Sequence, residues 1–143
     1  MAKLFTTQRP LRFGDCDFSG TAYYPAYLNM LNAQNEDFFT HLGHPWPDTI
    51  RDDGWAVPTV HLSCDFAKAS IYGDMLTFDL AVTRVGTSSV GLRHRIRCGE
   101  ELRWTASQVL VASNLADHTS MPWPDDVRTK LLDRVIPEDQ LDF

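Results

Sequence analysis

The chain has little of what marks a secreted, membrane-bound or nucleic-acid-binding protein. Only three cysteines, Cys16, Cys64 and Cys98, occur in 143 residues. An odd, scattered set is no disulfide framework and points to free thiols in a reducing compartment. No apolar run approaches the ~18 residues of a membrane span, and the opening MAKLFTTQRP lacks a signal-peptide core. A cytoplasmic protein with no membrane partner is therefore expected. Lys and Arg number 13 against 19 Asp and Glu, a formal net charge of −6. That excludes a broadly basic surface for nucleic acid. Repeats, low-complexity tracts and flexible linkers are missing too, so residues 1–143 read as one domain, long enough to bury a core without staples.

What is present is a globular composition, 43% hydrophobic with eight phenylalanines. A first strand is expected over Gln8–Phe13. A helix follows from about Pro25 to Leu42, with proline at a first-turn position and Gly43 where a left-handed C-terminal cap belongs. Tyr27, Leu28, Leu31, Phe38, Phe39 and Leu42 recur at helical spacing. Met30 and Ala33 extend the apolar positions enough to suggest a helix covered on more than one side. The period then changes to two. Phe78, Leu80 and Val82 alternate with Thr77, Asp79 and Ala81; Val90, Leu92, His94 and Ile96 alternate with Ser89, Gly91, Arg93, Arg95 and Arg97; Val109 and Val111 alternate with Gln108, Leu110 and Ala112. Hairpins are expected near Gly86–Thr87 and Gly99–Glu100, and a further strand over Trp55–Phe66, interrupted by Pro58. HPWPDTIRDDG (44–54) and MPWPDD (121–126) read as loops introducing short helical turns, with Trp46 and Trp123 pinning them. One strand, one long helix and four strands imply an α+β domain, a curved antiparallel sheet packed on a central helix.

The stretch that carries chemistry is FGDCDFSGTAYYPAY, Phe13–Tyr27. Read as a strand, it gives Phe13, Asp15 and Asp17 one parity; Gly20 allows a turn, and Tyr23-Tyr24-Pro25 opens the helix. The first N–H groups of a helix lack internal partners and carry partial positive charge. They can hold a carbonyl oxygen as it gains negative charge, while a carboxylate from the preceding turn faces the carbonyl carbon. A helix cap or Asx turn at Asp15 or Asp17 explains the same spacing without chemistry. Spacing leaves both readings open.

The same stretch resembles the signature of the 4-hydroxybenzoyl-CoA thioesterase family, aromatic-Gly-Asp-Cys-Asp-x-x-Gly-x-x-x-Tyr-Pro. IYGDMLTF (71–78) and VGTSSVGLRHRI (85–96) are similar to segments common among hotdog thioesterases, and the resemblance covers roughly residues 8 to 115. It implies a hotdog fold: a long central helix wrapped by a curved antiparallel sheet of five or six strands, assembled as homodimers or homotetramers with active sites at the dimer interface. By the same resemblance Asp17 is the catalytic nucleophile or general base and the Tyr24 backbone N–H the oxyanion donor. Asp15 takes a structural role. The implied reaction is hydrolysis of an aryl- or related acyl-CoA to the acid and free CoA. No metal or prosthetic group is expected, coenzyme A being part of the substrate. A thioester is electrophilic enough for a carboxylate and helix-end donors to suffice. Two rivals are a thioesterase acting on carrier-protein-bound acyl groups and a hotdog protein that binds or scaffolds without turnover. Asp17 argues against the second.

Three departures qualify the resemblance. Where the family's aryl thioesterases have an aspartate for the substrate's para-hydroxyl, this chain has Asn32, whose amide accepts or donates but supplies no charge. Where they hold the CoA phosphates with basic residues, this chain has Gly86-Thr87-Ser88-Ser89. Ser88, Ser89 and Arg93 become the CoA candidates, within a stripe of Arg93, Arg95 and Arg97 with Arg84 and Arg103 near it; salt bridges or a solvated face explain that stripe equally. Pro25 replaces the histidine of the Tol–Pal-associated branch. Tyr27, Thr59 and His61 are candidates for the acyl site, Thr59, His61 and Ser63 sharing a strand face, while core packing is the alternative for Tyr27. His61 and Cys64 face opposite sides of that strand and form no catalytic pair. His41 and His44 lack further metal ligands.

Overall fold

Proline can begin a helix but not continue one, and Pro25 stands in the first turn of the long helix Tyr24–His41. Gly43 ends it in the left-handed region, φ 89°, with the Gly43 and His44 N–H groups donating to Thr40 O and Phe39 O at 3.0 and 2.9 Å. In the computed structural model, which describes residues 3–143, the elements are β1 (Phe5–Pro10), α1 (Tyr24–His41), α2 (Trp46–Asp48), β2 (Trp55–Ala56), β3 (Thr59–Phe66), β4 (Met75–Val85), β5 (Ser89–Cys98), β6 (Glu101–Val111), β7 (Ser113–Asn114) and α3 (Asp125–Leu132). Five strands form one sheet in the order β1-β4-β5-β6-β3, every neighbouring pair antiparallel. β2 and β7 make a separate short pair. The sheet wraps α1 in the hotdog arrangement. No helix among the described residues is long and apolar enough to cross a membrane.

Some expected boundaries move. The first strand is Phe5–Pro10, and Phe13–Asp15 is a 3-10 turn, so the strand parity expected for Phe13, Asp15 and Asp17 does not hold. Pro58 splits Trp55–Phe66 as expected, but into strands of different sheets. α3 is a full eight-residue helix; Val127 and Leu131 bury its one apolar stripe, too short a repeat to stand out in sequence.

α1 is covered on one side only. Tyr27, Met30, Leu31, Gln34, Asn35, Phe38 and Phe39 are buried, whereas Asn29, Asn32, Asp37 and Thr40 face solvent. The core it meets is in two parts. Phe38, Phe39, Leu80, Leu92 and Leu110 belong to one apolar cluster, and Tyr27, Leu31, Phe78, Ile96 and Trp104 to the other. Full burial of a side chain such as Phe38 contributes roughly 1.5–3 kcal/mol. Gln34, Asn35, His94 and Gln108, all buried, lie between the clusters along α1, β5 and β6. Gln34 is held by the carbonyls of Phe5 and Phe78 and by Thr7.

β3 is the sheet's open edge. Seven of its eight residues are exposed, and the chain covers it only in part, through Phe66 on Tyr27 and Cys64 against the second apolar cluster. Trp123 and Trp46 do pin their loops: Trp123 stacks on Phe39 and Trp46 packs tilted on the same ring.

Candidate active site

The turn leading into α1 is built by its own backbone. Asp17 N–H donates to Thr21 O at 3.0 Å, Gly20 N–H to Asp17 O at 3.1 Å and Tyr23 N–H to Asp15 O at 2.8 Å. Gly20 supplies the required φ of 80°. Asp17 Oδ1 accepts from the Ser19 N–H at 2.9 Å and the Ser19 hydroxyl at 2.5 Å, an Asx turn. Among the described residues Oδ2 has no partner. The Ser19 hydroxyl, and then its N–H, hold the Asp17 carboxyl below the ordinary aspartate range. One oxygen of this exposed carboxylate is thus engaged in the turn and the other is left free. Asp15 is different: its Oδ2 accepts from the Arg12 N–H at 2.9 Å and closes the 3-10 turn.

Tyr23 precedes α1 with no side-chain cap. The Ala26 N–H donates to Tyr23 O at 2.8 Å, and Pro25 has no N–H. Tyr24 N–H is left as a helix-end donor with no acceptor among the described residues. Tyr24 and Tyr27 line a cavity of about 320 Å³ with Phe66 and Lys68; Asp17 is not among its lining residues. Tyr27 also belongs to the core, stacked on Phe66 and 4.9 Å from the Trp104 ring.

Asn32 and Thr59 come together elsewhere, in a cavity of about 360 Å³ walled by Trp46, Ile50, Val57 and Leu115. His61 does not join them. A bulge between Thr59 and His61 shifts the register, so Thr59 pairs with buried Leu110 while His61 and Ser63 pair with Val109 and Ser107 on the other face. The extra residue, Val60, breaks the parity that would have put Thr59, His61 and Ser63 on one side. Cys64 faces away from His61, opposite Ala106, as strand geometry requires.

The CoA candidates lie apart from both cavities. Ser88 O accepts from Ala112 N–H at 2.7 Å; Ser89 O accepts from Gly86 N–H at 2.8 Å and from the Trp123 indole at 3.0 Å. Arg93 pairs with Glu138. Arg95 and Arg97 both bind Asp79 Oδ2, at 3.0 and 2.9 Å, and Phe143 stacks 4.6 Å from the Arg95 guanidinium. The arginine stripe is thus the outer face of the sheet, neutralised by ion pairs within the chain. Arg103 is not part of it, being tied to Asp74 at 2.6 Å and Glu101 at 2.9 Å. His44 pairs with Asp126 at 2.5 Å, and the described residues contain no cluster of three or more metal-ligating side chains.

Sequence reasoning missed a set of side chains beside the second cavity. Gln108 Oε1 lies 2.9 Å from His94 Nε2 and 3.0 Å from Asn35 Nδ2, and Gln108 Nε2 lies 2.9 Å from Thr59 Oγ1. The available signal was a polar residue in each of three apolar periodicities: Asn35 in the helix, His94 in β5 and Gln108 in β6.

Residues 11–131 match the model of the thioesterase-like superfamily. A 4-hydroxybenzoyl-CoA thioesterase from Pseudomonas sp. (strain CBS-3) is 31% identical over 98 residues, 67% of this chain and 70% of that protein. A 1,4-dihydroxy-2-naphthoyl-CoA hydrolase from Synechocystis is 26% identical over 127 residues, 89% and 88% of the two chains. Among solved structures, a 1,4-dihydroxy-2-naphthoyl-CoA thioesterase from Synechocystis superposes with a TM-score of 0.83 at 25% identity, covering 91% of this chain and 96% of that one.

Proposed function

From the premise that the chain belongs to the thioesterase-like superfamily, we propose that it hydrolyses an aryl-CoA thioester to the carboxylic acid and free CoA. The observation that carries this reading is the pairing of an ionised carboxylate, Asp17, with an unused helix-end donor, the Tyr24 N–H, only seven positions apart in one short turn. Asp17 Oδ2 attacks the carbonyl carbon or takes the proton of an attacking water. Charge developing on the carbonyl oxygen is met by the Tyr24 N–H. The C–S bond breaks, the CoA thiolate leaves and takes up a proton, and water supplies the hydroxyl of the acid, directly or by cleaving an acyl-aspartyl intermediate. Relatives named for hydroxybenzoyl-CoA and dihydroxynaphthoyl-CoA support an aromatic acyl group.

The working unit in this reading is a dimer formed through β3. Two identical edge strands meeting about a two-fold axis run antiparallel, so the Phe66 end of one lies beside the Thr59 end of the other. The Tyr24 cavity opens at Phe66 and the Asn32 cavity at Thr59. Pairing would therefore combine the oxyanion donor of one chain with the acyl cavity of its partner. Exposed Val60, Leu62 and Phe66 supply apolar surface for the contact.

The test is thiol release from benzoyl-, hydroxybenzoyl-, phenylacetyl- and aliphatic-CoA by the wild type and by Asp17→Asn. Aryl-CoA turnover lost in the variant is expected. Turnover surviving the substitution removes Asp17 from the mechanism, and no turnover on any thioester by the wild type overturns the hydrolase.

A further inference from the structure

Gln108 has two hydrogen-bonding ends, and its surroundings decide which way it points. Its Oε1 faces Asn35 Nδ2 and His94 Nε2, and its Nε2 faces Thr59 Oγ1. In this orientation the buried atoms left without partners are Asn35 Oδ1 and His94 Nδ1, both acceptors. Turning both amides over would instead strand the Asn35 amide hydrogens and an imidazole N–H in the core. Orphaned buried donors are rarer than under-used acceptors, so the first orientation holds. It requires His94 to carry its proton on Nε2. Burial drives the His94 pKa down to about 4, leaving the ring neutral and its Nδ1 bare.

The consequence falls on Thr59. Its oxygen is occupied as the acceptor of the Gln108 amide, so its hydrogen must go elsewhere, and among the described residues no acceptor takes it. The side chain reaches the cavity only because the bulge after Thr59 turns it onto the helix side of the sheet. Asn32, on the same cavity, has no side-chain partner among the described residues. The remaining walls are mainly apolar, Trp46, Ile50, Val57 and Leu115 among them, with Ser113 and His118 also on the lining. A cavity of about 360 Å³ is thus a mainly apolar slot to which Thr59 offers a donor and Asn32 an amide able to give or take.

We infer that Gln108 is a specificity-determining positioning residue: it fixes the Thr59 hydroxyl as a donor into this cavity, which selects acyl groups bearing an oxygen acceptor over their bare hydrocarbon counterparts. The inference rests on the thioesterase reading for the nature of the ligand, but not on turnover. A phenolic or ring-carbonyl oxygen would accept from Thr59, and a phenol would donate in turn to Asn32 Oδ1. A hydrocarbon ring in the same place would leave the Thr59 donor unmet.

The experiment measures affinity, by titration calorimetry, for a pair of non-hydrolysable CoA thioether analogues, one hydroxyaryl and one aryl without oxygen. Wild type, Thr59→Val, Gln108→Met and the double variant are compared, with folding checked by thermal unfolding. The wild type is expected to bind the hydroxyaryl analogue about tenfold more tightly, the weight of one hydrogen bond of ~1.4 kcal/mol. Thr59→Val should abolish that preference without weakening the bare aryl analogue. Gln108→Met should reduce it in a chain whose Thr59 is intact, and the double variant should lose no more than Thr59→Val alone. A residue that merely supports the core would weaken both analogues alike. Equal wild-type affinity for the two analogues, or a preference unchanged in Thr59→Val or in Gln108→Met, would overturn the inference. A preserved preference in a protein that cleaves no thioester would keep the subsite and remove the hydrolase.

Discussion

Ser19 holds one oxygen of Asp17 and leaves the other free: both of its bonds, at 2.9 and 2.5 Å, go to Oδ1. The mechanism proposed above needs this carboxylate ionised, so activity is expected to fall as pH drops through its pKa. Ser19 keeps that value below the ordinary 3.8. Ser19→Ala is expected to raise the acid limb of kcat/KM toward 3.8 while changing the rate at pH 7 less than about threefold. A pH–rate profile between pH 3.5 and 7, with tryptophan fluorescence reporting folding, checks it. An unmoved limb would separate Ser19 from the ionisation of Asp17.

His94 makes stability fall on mild acidification. Its pKa is lowered from 6.5 to about 4 by burial first, with Arg93 adding to the effect and the Gln108 hydrogen bond opposing it. Between those values the unfolded chain binds a proton that the folded chain refuses. Stability contributed by neutral His94 is complete above pH 6.5 and is lost as pH falls toward 4, roughly 3 kcal/mol in all. Urea unfolding of His94→Leu at pH 7, 5.5 and 4.5 should show a shallower decline than the wild type. Identical slopes would assign the decline to other groups.

Asp79 is a buried anion serving three donors, Thr6 at 2.8 Å, Arg95 and Arg97. Burial raises its pKa, and the bonds from Arg97, Thr6 and Arg95 outweigh this and lower it. Asp79→Ala strands those donors and should cost about 3 kcal/mol, read as a lower denaturation midpoint. Arg93→Ala, whose partner Glu138 is exposed, should cost less than about 1 kcal/mol. Reversal of that order would contradict the burial pattern.

The open edge of β3 carries the oligomerisation prediction. Lysines at Val60 and Leu62 should oppose edge-to-edge pairing. The double variant is expected to sediment as a monomer with native circular dichroism and with thiol release reduced to background. A fully active monomer would show that each chain holds a complete site.

Oxygen-18 labelling distinguishes the two roles open to Asp17. In a single turnover in labelled water, an acyl-aspartyl intermediate opened at the aspartyl carbon releases unlabelled acid and leaves the label in Asp17, whereas direct attack by water labels the acid and leaves Asp17 unlabelled.

Much of this protein is written locally. Pro25 and Gly43 bracket α1, alternation marks the strands, and Asp17, Gly20 and Thr21 are tied within one turn whose hydrogen bonds span only a few residues. These features depend on backbone sterics and near-neighbour bonding, which a sequence displays directly. Alternation was silent about which face turns inward: Val109 and Val111 on one side and Leu110 and Ala112 on the other are equally apolar. Only packing against α1 buries Leu110 and Ala112, and Gln108 with them. The bulge at Val60, which parts Thr59 from His61, is a register effect between β3 and β6 and leaves no local mark. The polar set of Asn35, His94 and Gln108 joins positions up to 73 apart in the chain. Each looks like an isolated fault in an apolar pattern until the sheet closes on the helix. Sequence alone determined that the carboxylate and the start of the helix lie within one short stretch of chain; tertiary structure decided what surrounds them, because burial and register are properties of strands brought together from distant parts of the chain.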